Sequence, residues 1–175
     1  VERPDALGHL ARVFIRMATQ VTEREEQLRK QIVDSRYVFI SYASADRKRV
    51  YPIAESLEAA GVRVWIDKDE IAGGANYGPN IVQGIRDSAA VLVACSAASM
   101  RSRNVKQEIQ LAWKYQRPYV PLLLEQTEFP DDVTYWLEGW QWIAVLDRPN
   151  AEWFPELLRA LNNLGLDISS AIGTS

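Results

Sequence analysis

The sequence predicts an α/β domain built on a doubly wound, roughly five-stranded parallel sheet, with an extra N-terminal helix. Three observations carry this. Short, nearly unbroken apolar runs recur at 37–44, 62–66, 89–95 and 119–124, as strands buried on both faces require. Between them, apolar residues fall at three- and four-residue steps, the period of a helix packed along one side. The connections are short, so strand and helix alternate as crossover units.

The elements follow in order. Residues 1–35 carry Leu7, Leu10, Phe14, Met17, Val21 and Leu28 at heptad-like steps, with charges taking over at Glu23–Glu26. Such a stripe must be buried somewhere. It reads as a helix docked on its own domain, as a coiled-coil-like connector or self-association element, or as a disordered lead-in. The first strand is Tyr37-Val-Phe-Ile-Ser-Tyr-Ala-Ser44. It ends in small hydroxyl residues at the place where open α/β sheets bind ligands. Ala45-Asp46-Arg47 can cap the next helix. Its buried side is Val50, Ile53, Leu57 and Ala60, and Pro52 suggests a start near Tyr51. Gly61 suits the end of that helix.

Val62–Ile66 is the second strand, and the acidic, glycine-rich segment from Asp67 to Gly78 is a mobile loop leaving its carboxyl end. Ile81 and Ile85 mark a short helix, Ala89–Cys95 a third strand, and Ser96–Arg103 a polar turn. Val105, Ile109 and Ala112 line a further helix. Tyr119–Leu124 is the fourth strand, and its Pro121 argues against a fully paired central position. A short helix at Val133–Leu137, an edge strand at Gln141–Val145 and an amphipathic helix from Trp153 to Leu164 complete the domain at 36–166. Gly165 ends the last helix, and 167–175 reads as a tail or linker.

Composition bounds the function. The 175 residues are 47% hydrophobic, enough for one real core. A net charge of −3 gives no electrostatic reason to expect nucleic acid or an anionic membrane as partner. The single cysteine fits a reducing, cytoplasmic compartment, and no apolar run is long enough to span a bilayer. The chain begins at Val1, as a piece of a longer protein would. The only histidine, His9, lies outside the domain, so no Ser-His or Cys-His pair and no zinc cluster is expected there.

Glu108 is the candidate acid. It lies three residues after Val105 and four before Ala112, so its carboxylate projects beside the apolar stripe. It falls early in the helix, where the macrodipole favours negative charge, and Ser102 or Asn104 can cap that end. The plain alternative is a solvated glutamate on a helix flank.

The ordered series of segments resembles the Toll/interleukin-1 receptor (TIR) domain family, most like its bacterial members. Phe39-Ile-Ser-Tyr42 with Asp46 resembles the first signature box, and Gly61–Asp67 the second strand. Glu70-Ile-Ala-Gly-Gly74 through Tyr77 resembles the long loop after it. Ile81–Ser88, Ser96–Glu108 and Tyr119–Leu122 match the segments that follow, so the resemblance covers about 36–165. It implies a flavodoxin-like TIR fold and an NAD⁺ glycohydrolase of an intracellular signalling or defence protein, active on self-association with other TIR domains. The product would be linear or cyclised ADP-ribose.

By the same resemblance Glu108 aligns with the acid that stabilises the ribose as nicotinamide leaves. NAD⁺ is then substrate, and no metal or cofactor is called for. Enzymatic members often carry Trp four positions before the acid, where this chain has Asn104. A stacking ring would then come from Tyr42, Trp65 or Tyr77, with Trp65 favoured as core. Asp67 would lie near the ribose or the loop hinge, unless it merely caps a turn. Ser41 would be a turn residue with a phosphate or nicotinamide contact. Gly73 and Gly74 lack the spacing of a phosphate-binding fingerprint, and Cys95 reads as a buried inert thiol. The rival from another class is a non-catalytic TIR–TIR interaction module. A weaker one is a nucleoside-processing enzyme using Asp67 as a second acid.

Overall fold

The computed structural model describes residues 3–66 and 77–168. The chain divides into two compact units, Val1–Ser35 and Arg36–Ser175.

The first unit is a single helix, α1 (Arg3–Ser35). Its stripe residues Leu10, Phe14, Met17 and Val21 are exposed. Thr19 and Thr22 donate back to the carbonyls of Ile15 and Ala18, at 2.9 and 3.0 Å, inside the same helix. Among the described residues, no helix is long and apolar enough to cross a membrane.

The second unit contains a five-stranded parallel sheet. Its strands are β1 (Val38–Ser41), β2 (Val64–Ile66), β3 (Ala90–Cys95), β4 (Tyr119–Leu123) and β5 (Ile143–Ala144), in the order β2-β1-β3-β4-β5. This is the flavodoxin-like doubly wound order, whose chain direction across the sheet reverses between β1 and β3. The helices are α2 (Arg47–Ala59), α3 (Tyr77–Arg86), α4 (Ala97–Arg101), α5 (Arg103–Lys114), α6 (Asp131–Leu137) and α7 (Asn150–Asn163).

Alternation along the strands sorts the core into two layers. Val38, Ile40 and Tyr42 face α2 and α7, packing with Val50, Ile53, Leu57, Trp153, Leu157 and Leu161. Phe39 faces the other way, into a layer with Val91, Val93, Ile85 of α3, Val105 and Ile109 of α5, and Leu137 of α6. β3 is buried on both faces throughout, as the interior strand of a parallel sheet must be.

Several local expectations are corrected. Helix α2 begins at Arg47 and keeps Pro52 inside it. Pro52 lies on the exposed side, and the bond it forgoes is to the carbonyl of Lys48, where water can serve instead. The polar stretch after β3 is not a turn but helix α4. Ser96 and Ser99 form a reciprocal capping box: the Ser96 Oγ accepts from the Ser99 N–H at 3.0 Å, and the Ser99 Oγ accepts from the Ser96 N–H at 2.8 Å.

Strand β4 is interior despite Pro121. The carbonyl of Leu123 bonds to Val145 on the β5 side, whereas Leu124 bonds to Cys95 on the β3 side. By alternation the missing N–H of Pro121 faces β5, which pairs only Leu122 and Leu123. The ladder to β3 is therefore intact.

Gly61 and Gly165 close their helices with φ of +86° and +99°. In each case the residue beyond bonds back, Val62 to Leu57 at 2.9 Å and Leu166 to Leu161 at 3.2 Å. Leu166 and Ile168 are buried in the core layer with α2 and α7, and the rest of the expected tail, 169–175, lies outside the described residues. The segment at 67–76, expected to be a mobile loop, lies outside the described residues.

Candidate functional site

Two regions stand out among the described residues, a polar cluster at the carboxyl ends of β1 and β3 and a groove between two helices. The first spans the crevice between β1 and β3. Asp46, which follows β1, is 2% exposed. It accepts a very short hydrogen bond from the Ser96 hydroxyl, which follows β3, and pairs with Arg49 at 2.6 Å. Arg49 also reaches Glu125 at 3.3 Å. Glu125 in turn accepts from the Ala97 N–H at the start of α4, at 3.0 Å.

That backbone bond, followed by the Arg49 side chain, holds the Glu125 carboxyl below its usual range. The hydrogen bond that Arg49 donates to the Asp46 carboxylate raises the already high pKa of Arg49. Asp46 thus serves this network. It leads into α2 without a capping bond of its own, contrary to the expectation that it caps that helix. The place where a doubly wound domain commonly takes its ligand is crossed by the protein's own side chains.

The second region opens on the other face. Helices α3 and α5 pack side by side, and the groove between them has a volume of about 550 Å³. It is lined by Ile81 and Val82 from α3 and by Asn104, Gln107, Glu108 and Leu111 from α5. Ser102 caps α5, accepting from the Val105 N–H at 3.3 Å.

The steps Val105, Ile109, Ala112 turn that side of α5 to the sheet and carry Glu108 with it, so the residue as a whole is only 8% exposed. Burying a carboxylate costs several kcal/mol, of order, unless polar partners or a ligand offset it. A carboxylate at a groove margin is therefore a candidate functional acid. Glu108 stands in the second turn of α5, so the dipole contributes less there than the sequence spacing suggests.

The remaining candidates divide. Asn104 lines the groove one turn before Glu108. Ser41 ends β1 on the same sheet face as Phe39, towards α3 and α5. It is fully buried, and its Oγ has no hydrogen-bond partner among the described residues. A buried hydroxyl left in that state is a cost the fold carries.

Tyr42 points to the opposite face. It is buried against α2, with its ring 6.2 Å from that of Tyr51 in an edge-on contact. Trp65 is half-buried and packs against the core layer on the α3 side. Its ring lies 5.0 Å from Phe39 and over Gly84 of α3, where an added Cβ would sit 1.3 Å from the indole. The Tyr37 hydroxyl donates to the Gly84 carbonyl at 2.7 Å and completes that wall.

Tyr77 is the first residue of α3, and its side chain lies outside the described residues, as do Asp67, Gly73 and Gly74. Cys95 is buried, and desolvation pushes its thiol up to about 12, which keeps it from acting as a nucleophile near neutral pH. The sequence reading missed the α3 wall of the groove, Ile81 with Val82, because a helix pair meets only in three dimensions. It also missed the Asp46–Ser96 link, although the Ser96-x-x-Ser99 spacing was a visible capping signal.

Comparison with known proteins agrees with this architecture. The profile of the TIR domain family matches residues 38–161. No curated protein matches the chain. Among solved structures, the TIR domain of the Toll-related receptor TRR-2 from Hydra magnipapillata superposes with a TM-score of 0.60. It is 23% identical, with 72% of this chain and 98% of that chain covered. A prokaryotic SEFIR domain gives 0.53 at 20% identity, covering 73% and 92%. The RPS4 and RRS1 TIR domain heterodimer gives 0.52 at 14% identity, covering 74% and 98%. At these identities the superpositions speak to fold. The family match spans most of the chain from β1 into α7, and on that match the chain belongs to the TIR domain family.

Proposed function

We propose that this TIR domain cleaves NAD⁺ at the bond between nicotinamide and ribose, with Glu108 as the catalytic acid residue. The observation that carries the reading is the position of Glu108: 8% exposed, at the margin of the α3–α5 groove, with Asn104 beside it. The groove volume falls within the range of about 300–1,000 Å³ common for small-molecule sites.

The chemistry asks little more of the protein. As the C–N bond breaks, its electron pair returns to the pyridinium ring, and nicotinamide leaves neutral. The ribose takes on oxocarbenium character. A half-dry carboxylate stabilises that charge more than one in water, because the local dielectric is low and the carboxylate is already in place. Water then forms the new C–O bond at the same carbon, and its proton passes to Glu108 or to solvent. Ser41, whose buried hydroxyl on the same side of the sheet has no hydrogen-bond partner among the described residues, is the second residue assigned to the substrate. Asp67 and Tyr77 are also assigned to the substrate, whereas Tyr42, on the opposite face of the sheet, belongs to the core against α2. The active form is a self-associated one in a cytoplasmic signalling or defence protein.

A second reading, a non-catalytic TIR–TIR interaction module, is favoured by one observation. The position one turn before Glu108 holds Asn104 instead of an aromatic ring. Direct assay separates the two. Concentrated protein incubated with NAD⁺ is expected to release nicotinamide, faster per molecule at higher protein concentration. Glu108→Ala is expected to lower the rate at least about a hundredfold. Equal, negligible release from both proteins would leave the interaction module as the function.

A further inference from the structure

We propose that α1 is a self-association helix that pairs antiparallel with α1 of a second copy of this chain. The helix runs for 33 residues, about 50 Å at the usual rise. It exposes Leu10 at 67%, Phe14 at 75%, Met17 at 60% and Val21 at 57%. These four alternate in steps of four, three and four, the seam of a two-helix coiled coil. Leu7 and Leu28 extend the same spacing in the sequence.

The residues flanking the seam suit a copy of the same helix. Ala11, Val13, Ala18 and Gln20 border it without charge, and Glu25 is the one charged neighbour between positions 11 and 25. Arg12, Arg16 and Glu23 fall outside the seam. No like-charge pair therefore opposes close approach along the borders.

The seam itself selects the direction. Its next position after Val21 is Arg24. In a parallel pair, Arg24 of one copy would meet Arg24 of the other in the interior, and the two like charges would repel. In an antiparallel pair centred on Thr19, Met17 packs on Val21 of the second copy, and Arg24 lies over Phe14 of the second copy. The guanidinium on the phenyl face becomes an attraction. Ala18 then meets Ala18 and Gln20 meets Gln20 across the two-fold, so small and neutral residues occupy the closest approach. The heptad thus commits α1 to a copy of itself and the arginine commits it to one orientation.

The test uses the full chain and reads no NAD⁺ chemistry, so it stands apart from the fate of the catalytic reading. Sedimentation over a dilution series is expected to show a monomer–dimer equilibrium. The double variant Phe14→Asp with Met17→Asp is expected to weaken it at least about a hundredfold, since two interfacial apolar side chains are lost. Its domain should unfold at the same temperature as that of the unmodified chain, which excludes general misfolding. Orientation is read by disulfide trapping, with Cys95 buried out of reach. Mixed chains carrying Phe14→Cys and Arg24→Cys are expected to cross-link, and Leu10→Cys alone is not. A monomer at all concentrations, a dimer that the double variant leaves intact, or self-trapping of Leu10→Cys would each overturn the proposal.

Discussion

Asp46 and Glu108 are both nearly buried acidic residues, and they differ in where they lie, one in a crevice crossed by side chains and the other at the margin of a groove. Asp46 is the more buried of the two, and its two oxygens are taken by Ser96 and Arg49. That network ties the segment after β1 to the segment after β3. Glu108 lies on the far face of the sheet, at the margin of a groove between two helices. Burial of a carboxylate is thus not in itself a sign of chemistry. What matters is whether the surroundings that hold it are closed by the protein or left open to a ligand.

Substitutions at the two sites sharpen this contrast. The largest effect on stability is expected from Asp46→Ala. It leaves the buried Ser96 hydroxyl without its acceptor and removes the anchor of Arg49. A loss of about 2–3 kcal/mol is expected, discounted because Arg49 is nearly half exposed. Chemical denaturation measures it. Glu108→Gln, by contrast, keeps the volume and removes the charge. Its stability is expected to stay within about 1 kcal/mol of the unmodified protein while nicotinamide release collapses. If Asp46→Ala proved neutral and Glu108→Gln strongly destabilising, the roles assigned to the two carboxylates would be reversed.

A smaller effect is expected at the groove wall. Asn104→Trp supplies a ring one turn before Glu108, on a helix position exposed to the groove. If substrate stacks there, kcat/KM is expected to rise by roughly threefold to tenfold, since one aromatic contact is worth about 0.5–1.5 kcal/mol. An unchanged value would mean that the substrate ring lies elsewhere.

The smallest effect is a pH dependence in the closed network. The Glu125 carboxyl is held below its ordinary value of 4.5, first by the Ala97 N–H and then by Arg49. Its contribution to stability is therefore complete above that ordinary value and is lost as pH falls through the lower folded one. Glu125→Gln is expected to flatten the decline in unfolding temperature below about pH 4.5 and to change little at neutral pH. An identical acid limb in both proteins would remove Glu125 from the network.

Most of the fold was legible because its signals are local. Apolar runs gave β1, β3 and β4, and glycines at 61 and 165 marked two helix ends. The heptad steps gave α1, and the three- and four-residue steps gave α5 and α7. The errors fell where a local rule has an escape. Pro52 sits in a helix because its side faces solvent, and Pro121 sits in an interior strand because its neighbour β5 is only two residues long.

The site was legible only in part. Glu108 and Asn104 share a helix face, so their pairing followed from spacing. That Ser41 shares their side of the sheet while Tyr42 does not follows from alternation along β1, once the position of α5 is known. The Asp46–Ser96 link joins residues fifty positions apart, and no local pattern could announce it.

By itself, the sequence determined the elements, their order, the family resemblance and the place of Glu108 beside the apolar stripe of α5, because each rests on neighbours along the chain. Only the tertiary structure decided that the crevice between β1 and β3 is crossed by a polar network and that the open groove lies between α3 and α5. Those outcomes depend on which helices meet across the sheet, and burial is a property of the packed whole.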